Sequence, residues 1–548
     1  MKRLSATLAS LFFFLSLFSQ SSYPKREVRA VWLTTIGGLD WPHSYAQSST
    51  SAERQKQELR QLLDRYRRAN INTVLLQTRI RATVIYPSQI EPWDGCLSGL
   101  PGKSPGYDAL QFAIDECHKR GMELHAWIVT IPIGKWDAYG CRQLRRHRYK
   151  MLRRAGAEGF MNPELPETAD YLADLCAEVT RNYDVDGIHL DYIRYPETWP
   201  AKVDKAQGRA HITHIVRAVH ERVKALKPWV KLSCAPIGKR DDLTRFWSHG
   251  WNAYTTVCQD VQGWMREGWM DEVFPMMYFK DEQFYPFAID WAESAAGKIV
   301  APGLGIYFLH SKEKNWAPDV ITREMAVLRQ NGLGHAFFRG KFLTDNVKGI
   351  YDFTADRFDL YPALVPSMPW LYARRPAAPT WFQTVESAGG ITLRWSGATD
   401  HSGAPYLLYN VYASSVYPVD VADARNLIAP RLTTPYLQIP SAANRYFAVT
   451  AMDRYGNESE SLQMSEKRLS PTLTFLPTDG RTLRLPDDVK LVDAEYVVIE
   501  SMTGTIVATR PIQAGIIHVS MLKNGVYTVR TLDRKHVTHR LGMLILKR

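Results

Sequence analysis

Eight short apolar runs recur between residues 28 and 340, and most are followed by a stretch with helical spacing. This alternation constrains the fold more than any other feature. The runs are VRAVWLT (28–34), NTVLLQT (72–78), MELHAWIV (122–129), DGIHLD (186–191), VKLSCAPI (230–237), EVFPMMYF (272–279), KIVAPGLGIYF (298–308) and LGHAFFRG (333–340). Between them, SAERQKQELRQLLDRYRRAN, YDALQFAIDECHKRG and PETADYLADLCAEVTRNY carry apolar side chains every three or four residues, often closed by Gly or Asn. Eight strand–helix units predict an α/β fold, a (β/α)8 TIM barrel over residues 23–365. A doubly wound parallel sheet would show the same alternation, but it usually carries a Gly-rich phosphate turn after its first strand. The turn here reads TTIGGLDWP, without that fingerprint.

The rhythm breaks at the Pro-rich passage YPALVPSMPWLYARRPAAPTW, and residues 366–378 read as a linker. Two small β-sandwich domains are predicted beyond it, at 379–467 and 468–548. In the first, Trp395 and the run YFAVTAMD followed by RYGNES resemble a fibronectin type III module. The second, with its TG turn, GVYTV strand and final LILKR, resembles the C-terminal sorting module of type IX secretion substrates.

The composition is that of a globular protein: 45% hydrophobic and 23% charged residues over 548 positions, which excludes a disordered or collagen-like chain. A formal charge of +12 favours anionic partners without choosing among them. Lys2 and Arg3 precede an apolar run, Leu8 to Phe18, and then the polar SQSSYPKR. That is the plan of a secretory signal cleaved near residues 19–23, and the run is too short to span a bilayer comfortably. An exported, periplasmic or cell-surface protein without stable membrane insertion is expected. The six Cys are scattered without a CxxC pair, so metal-site spacing is absent, no cofactor is expected, and disulfide pairing is unreadable.

A barrel delivers its chemistry at the C-terminal ends of its strands. Those ends hold Trp32 with Asp40 in the next loop, Gln77 and Arg79, His125 and Trp127, Asp191 with Tyr192, Arg194 and Tyr195, and Tyr278 with Asp281. Carboxylates and aromatic rings at one mouth suit a glycan: the acids work at the glycosidic oxygen, and the rings stack on sugars. The basic insertion RQLRRHRYKMLRR (142–154) is either a solvated loop or a docking rim for an acidic polymer. A nucleic-acid partner is not expected, because no helix-turn-helix, zinc-finger or RNP pattern occurs.

The segments REVRAVWLTT, LDWP, NTVLLQTRIRA, GMELHAWIV, MNPELPE, NYDVDGIHLDYIRYP and VFPMMYF resemble glycoside-hydrolase-like family 10, in order over residues 27–345. The resemblance implies an exported bacterial barrel that cleaves a glycan, with peptide-free peptidoglycan strands as the substrate class. Many relatives carry two successive acids in the fourth-strand motif, where this chain has Asp191 and Tyr192. Many read HAWINPYR after the third strand, where this chain has HAWIVTIPIGKW.

Asp191 is the expected catalytic carboxylate, as nucleophile or general base; the plainer reading is a strand-end Asp bonded to a loop amide. Asp186 begins the same strand and is expected to be structural. The partner acid is open among Asp281, Glu282 and Asp40, each of which also reads as an ordinary loop charge. Arg79 and Arg194 would orient Asp191, contact substrate carboxylates or form structural ion pairs. Trp32, Trp127, Tyr192, Tyr195 and Tyr278 would stack on sugars or pack in the core, and His189 shares the interior parity of Asp191. The competing functions are a non-catalytic carbohydrate-binding barrel and a hydrolase of another acidic polysaccharide.

Overall fold

The computed structural model describes residues 23–197, 199, 203–246, 250–387, 390–440, 445–464, 475–485, 494–512, 515–533 and 538–548. The apolar run at 8–18 lies outside them. Eight parallel staves build the first domain: β1 Arg29–Leu33, β2 Thr73–Ile80, β3 Glu123–Val129, β4 Gly187–Asp191, β5 Lys231–Ala235, β6 Glu272–Val273, β7 in two pieces (Ile299–Val300 and Gly303–Leu304) and β8 His335–Phe337. Each stave pairs with the next. The first piece of β7 pairs with β6, the second with β8, and β8 pairs with β1, so the barrel closes.

β6 and β7 are cut well short of their apolar runs, and proline is the reason. Pro275 and Pro302 have no N–H to give to a ladder, so regular pairing stops on either side of them. The backbone still follows the stave: the Gly303 N–H donates to the Pro275 carbonyl at 2.7 Å.

Alternate residues of each stave serve two layers. Val31, Leu33, Val74, Leu76 and Ile128 face the helical ring, while Ala30, Trp32, Leu75, Trp127 and Phe274 fill the barrel. Helix α1 (Ser49–Arg68) belongs to that ring. It is capped by the Ser48 hydroxyl on the Ser51 N–H and buries Ala52, Gln55, Leu59, Leu63 and Tyr66 on one stripe. After β3 the chain detours through a three-stranded antiparallel sheet, Pro132–Lys135, Leu152–Ala155 and Glu158–Met161, with a helix at Tyr139–Arg148.

Residues 382–463 form two small antiparallel sheets. One contains Phe382–Ser387, Gly390–Trp395 and Tyr436–Ile439; the other contains Leu408–Ser414, Leu427–Leu432, Tyr446–Met452 and Leu462–Gln463. They join the barrel in one compact unit. The passage read as a linker is tied to both: the Met368 N–H donates to the Tyr455 carbonyl at 2.8 Å, and the Trp370 indole to Asp271 at 3.0 Å.

Arg431 and Arg454 of the sandwich reach the N-terminal floor of the barrel. Arg431 gives one N–H to Glu123 at 2.9 Å and one to Asp186 at 2.6 Å, and Arg454 donates to Asp184 at 2.8 Å and to Asp186 at 3.2 Å. Lys231 binds Glu123 from inside the barrel. Burial opposes these charges, yet Lys231 and Arg431 hold the Glu123 carboxyl down at about 2. Asp186 is held well below its ordinary range, its burial outweighed by His118 and the two arginines.

Glu272, on the same floor, is the exception. Both its carboxyl oxygens are buried without a hydrogen bond, His125 Nδ1 stays 3.7 Å away, and burial pushes its pKa up to about 7. The unfolded chain releases this proton near 4.5, so Glu272 withdraws stability as pH rises from there through 7. Glu272→Gln is therefore expected to be more stable than the wild type at pH 8, on the order of 1–3 kcal/mol, and to lose that advantage near pH 4. Urea unfolding at both pH values checks it.

The C-terminal unit is a separate body with its own core. Ala494–Ser501, Ile506–Pro511, Gly525–Asp533 and Thr538–Leu546 form one antiparallel sheet, and Thr482–Arg484 pairs with Ile516–His518. Leu483, Val497, Ile499, Ile517, Val529 and Leu544 are buried within it.

Candidate active site

A cavity of about 730 Å³ opens at the C-terminal mouth of the barrel. Asp191, the last residue of β4, lies in its wall with only 6% of its surface exposed. Parallel pairing aligns it with Val129, and the Trp127 indole donates to its Oδ2 at 3.0 Å. The Tyr192 N–H donates to Oδ1 at 2.7 Å. Burial pushes the Asp191 carboxyl up, against the opposing pull of Arg194 and these two donors.

Trp127, Tyr192, Tyr278 and Gln77 line the same cavity. Gln77 spends its carbonyl oxygen on the N–H groups of Thr35 and Ile36, at 3.1 and 2.8 Å, which fixes the loop after β1. Tyr278 packs against Phe338 and Tyr307, with ring centres 5.3 and 5.8 Å apart. Tyr192 has φ 52°, a left-handed backbone that a tyrosine rarely adopts, and its ring lies 4.0 Å from the Arg194 guanidinium.

Other candidates from the sequence lie elsewhere. Trp32, His125 and His189 are buried in the barrel interior and do not line the cavity. The Trp32 indole donates to His189 Nε2 at 3.2 Å, and burial holds the His189 pKa well below its usual value. Arg79 turns into the wall, where Glu91 accepts three of its contacts and the Val129 and Thr130 carbonyls take Nη1. Tyr195 packs on Trp199 and pairs its hydroxyl with His211.

None of the three partner acids offered by the sequence, Asp40, Asp281 and Glu282, lines the cavity with Asp191. Asp40 is saturated: Oδ2 accepts the Thr34 N–H and hydroxyl, and Oδ1 accepts Arg339 and the Lys341 N–H. A carboxylate holding four donors is a brace for the loop after β1, with no lone pair aimed at a substrate. Asp281 lies in an exposed turn after β6 and does not line the cavity.

Glu158 and Glu197 line the cavity with Asp191 instead. Arg194 gives both Nε and Nη2 to Glu197 Oε1, at 3.2 and 3.0 Å. Glu158 comes from the antiparallel detour after β3, and Phe338 and Arg339 from the end of β8. The strand-end rule applied to the eighth run would have found Phe338 and Arg339. Glu158 carries no local signal, because only the return of its hairpin puts it at the mouth.

Among the described residues, one cluster has metal-ligand spacing: Glu27, His335 and Asp359. Arg29 and Arg329 each contact both of its carboxylates, so cations of the chain itself already fill that role.

A family model described as glycosyl hydrolase-like 10 matches residues 27–207 and 199–314. The chain is 29% identical to glycosyl hydrolase YngK of Bacillus subtilis strain 168 over 495 residues, covering 82% of this chain and 95% of that protein. It is 30% identical to glycosyl hydrolase DigH of Escherichia coli K12 over 296 residues, covering 47% of this chain and 66% of that one. With a closed (β/α)8 barrel and carboxyl groups gathered at its C-terminal mouth, the chain belongs to the glycosyl hydrolase-like 10 family.

Proposed function

We propose that this protein hydrolyses glycosidic bonds in an anionic cell-wall glycan, namely peptide-free peptidoglycan strands, with Asp191 as the proton donor. The observation that carries the reading is the buried Asp191 carboxyl in the wall of an aromatic-lined cavity that also holds two glutamates. Burial favours the protonated form, which is what a leaving glycosidic oxygen needs. This revises the nucleophile or base role expected from the sequence.

Glu197 is assigned the complementary role, as base or nucleophile. Arg194 engages only its Oε1, so Oε2 has no partner among the described residues. Trp127, Tyr192 and Tyr278 offer faces and edges for sugar rings. The apolar run after Lys2 and Arg3 supports export, and the TG turn, GVYTV and LILKR support a sorting role for the C-terminal unit. The fibronectin type III reading of residues 379–467 is supported by their two antiparallel sheets of three and four strands.

The test is incubation of the protein with purified peptide-free strands. New reducing ends and shorter oligosaccharides are expected. Binding without products would make the barrel a lectin.

A further inference from the structure

Four arginines stand at or behind the cavity, and three are engaged. Arg79 is held by Glu91, Arg194 by Glu197 and Arg339 by Asp40. Arg81 lines the cavity with an exposed side chain, and it has no ion-pair partner among the described residues.

The backbone around Arg81 is built at a cost. Arg81 and Ala82 have φ 57° and 56°, in the two-residue turn between the paired residues Ile80 and Thr83. Asn and Gly are the usual occupants of such a turn, so the chain keeps a long cation where the backbone disfavours it. Gly134, itself at φ 76°, passes beside the arginine stem. A Cβ there would lie 2.9 Å from Arg81 Cγ, so only glycine leaves the stem its place. The detour that carries Gly134 is strongly basic, with eight Lys or Arg against two acids between residues 132 and 161.

We propose that Arg81 recognises a carboxylate borne by the sugar beside the scissile bond, and so makes this enzyme selective for carboxylated glycans. The proposal rests on the glycosidase reading above. A planar guanidinium offers two parallel N–H donors, which match the two oxygens of one carboxylate. The cavity also holds Glu158 and Glu197, so a single negative charge suits it better than a dianionic phosphate monoester. Arg79 and Arg194, the arginines that the sequence offered for this task, are already neutralised.

The experiment uses the full chain, as wild type, Arg81→Asn and Arg81→Lys. The substrates are peptide-free peptidoglycan strands and the same strands with their lactyl carboxyls reduced to alcohols. Asn suits the left-handed turn, so Arg81→Asn should fold at least as well as the wild type. Wild-type kcat/KM is expected to fall roughly 10–100-fold on the reduced strands, mainly through KM. Arg81→Asn should give that lower value on both substrates, and Arg81→Lys an intermediate preference.

A wild type indifferent to reduction overturns the proposal, and so does an Arg81→Asn loss of equal size on both substrates. If the wild type cleaves neither, the glycosidase reading fails and equilibrium binding of the same strands decides the role of Arg81. A wild-type preference for the carboxylated form that Arg81→Asn erases supports the proposal. Binding without preference overturns it.

Discussion

Asp191→Asn is expected to lower the rate of glycan cleavage by about 10²–10⁴-fold while the barrel stays folded. The amide fills the space of the carboxyl and still accepts one of the two N–H donors, from Trp127 or Tyr192. Losing the other hydrogen bond costs about 1 kcal/mol, which a barrel of this size tolerates. What the variant lacks is a proton to give. As a general acid, Asp191 supports turnover while protonated, so wild-type activity should fall as pH rises through its raised pKa. That alkaline limb should vanish in the variant, and substrates with acidic leaving groups should be spared. Asp186→Asn, at the opposite end of the same stave, should lower stability and leave activity per folded molecule intact. Near wild-type cleavage by Asp191→Asn would move the proton donor to Glu197 or Glu158.

The second large effect is expected far from the mouth. Arg431→Met removes the guanidinium that bridges Glu123 and Asp186, and both acids are buried. Breaking a buried pair from one side leaves charge without compensation, a loss of about 3–5 kcal/mol. Lys231, His118 and Arg454 remain, which places the expected value at the lower end. The pH dependence follows from the depressed carboxyls. Their ionised forms stabilise the wild type above the unfolded pKa, and that contribution disappears as pH falls through the folded one. For Glu123 the interval runs from 4.5 down to about 2, so the gap between wild type and variant should close across it. Denaturant unfolding at pH 7 and pH 3 measures both values. Equal stability at pH 7 would mean that the floor does not depend on the sandwich.

The sequence made the staves legible because each is an apolar run bounded by helical spacing. It was silent on where prolines cut β6 and β7 short. At the site, reading strand ends placed Asp191, Trp127, Gln77 and Tyr278 at the mouth; the first three lie on regular strand, and Tyr278 follows the stave past Pro275. Of the three roles open to Arg79, the structure shows the structural ion pair, and Arg81 was not singled out by its place in the sequence. The pairing of β2 with β3 slips between Gln77 and Arg79, which turns Arg79 into the wall, and the left-handed turn then brings Arg81 to the cavity. Two-residue alternation cannot register such a slip. Glu158 was hidden for another reason: its position depends on an antiparallel hairpin folding back over the mouth, a tertiary event without a local pattern.

The arginines that close the barrel floor also bear on how such a protein can be inherited. A gene segment ending at residue 365 would encode every stave and the whole mouth, yet omit the two arginines that add to Lys231 and His118 in satisfying Glu123 and Asp186. Recombination at that boundary would hand the recipient a barrel whose buried acids have lost part of their compensation. Selection would then keep barrel and sandwich together as one unit of exchange, however modular the Pro-rich passage between them looks.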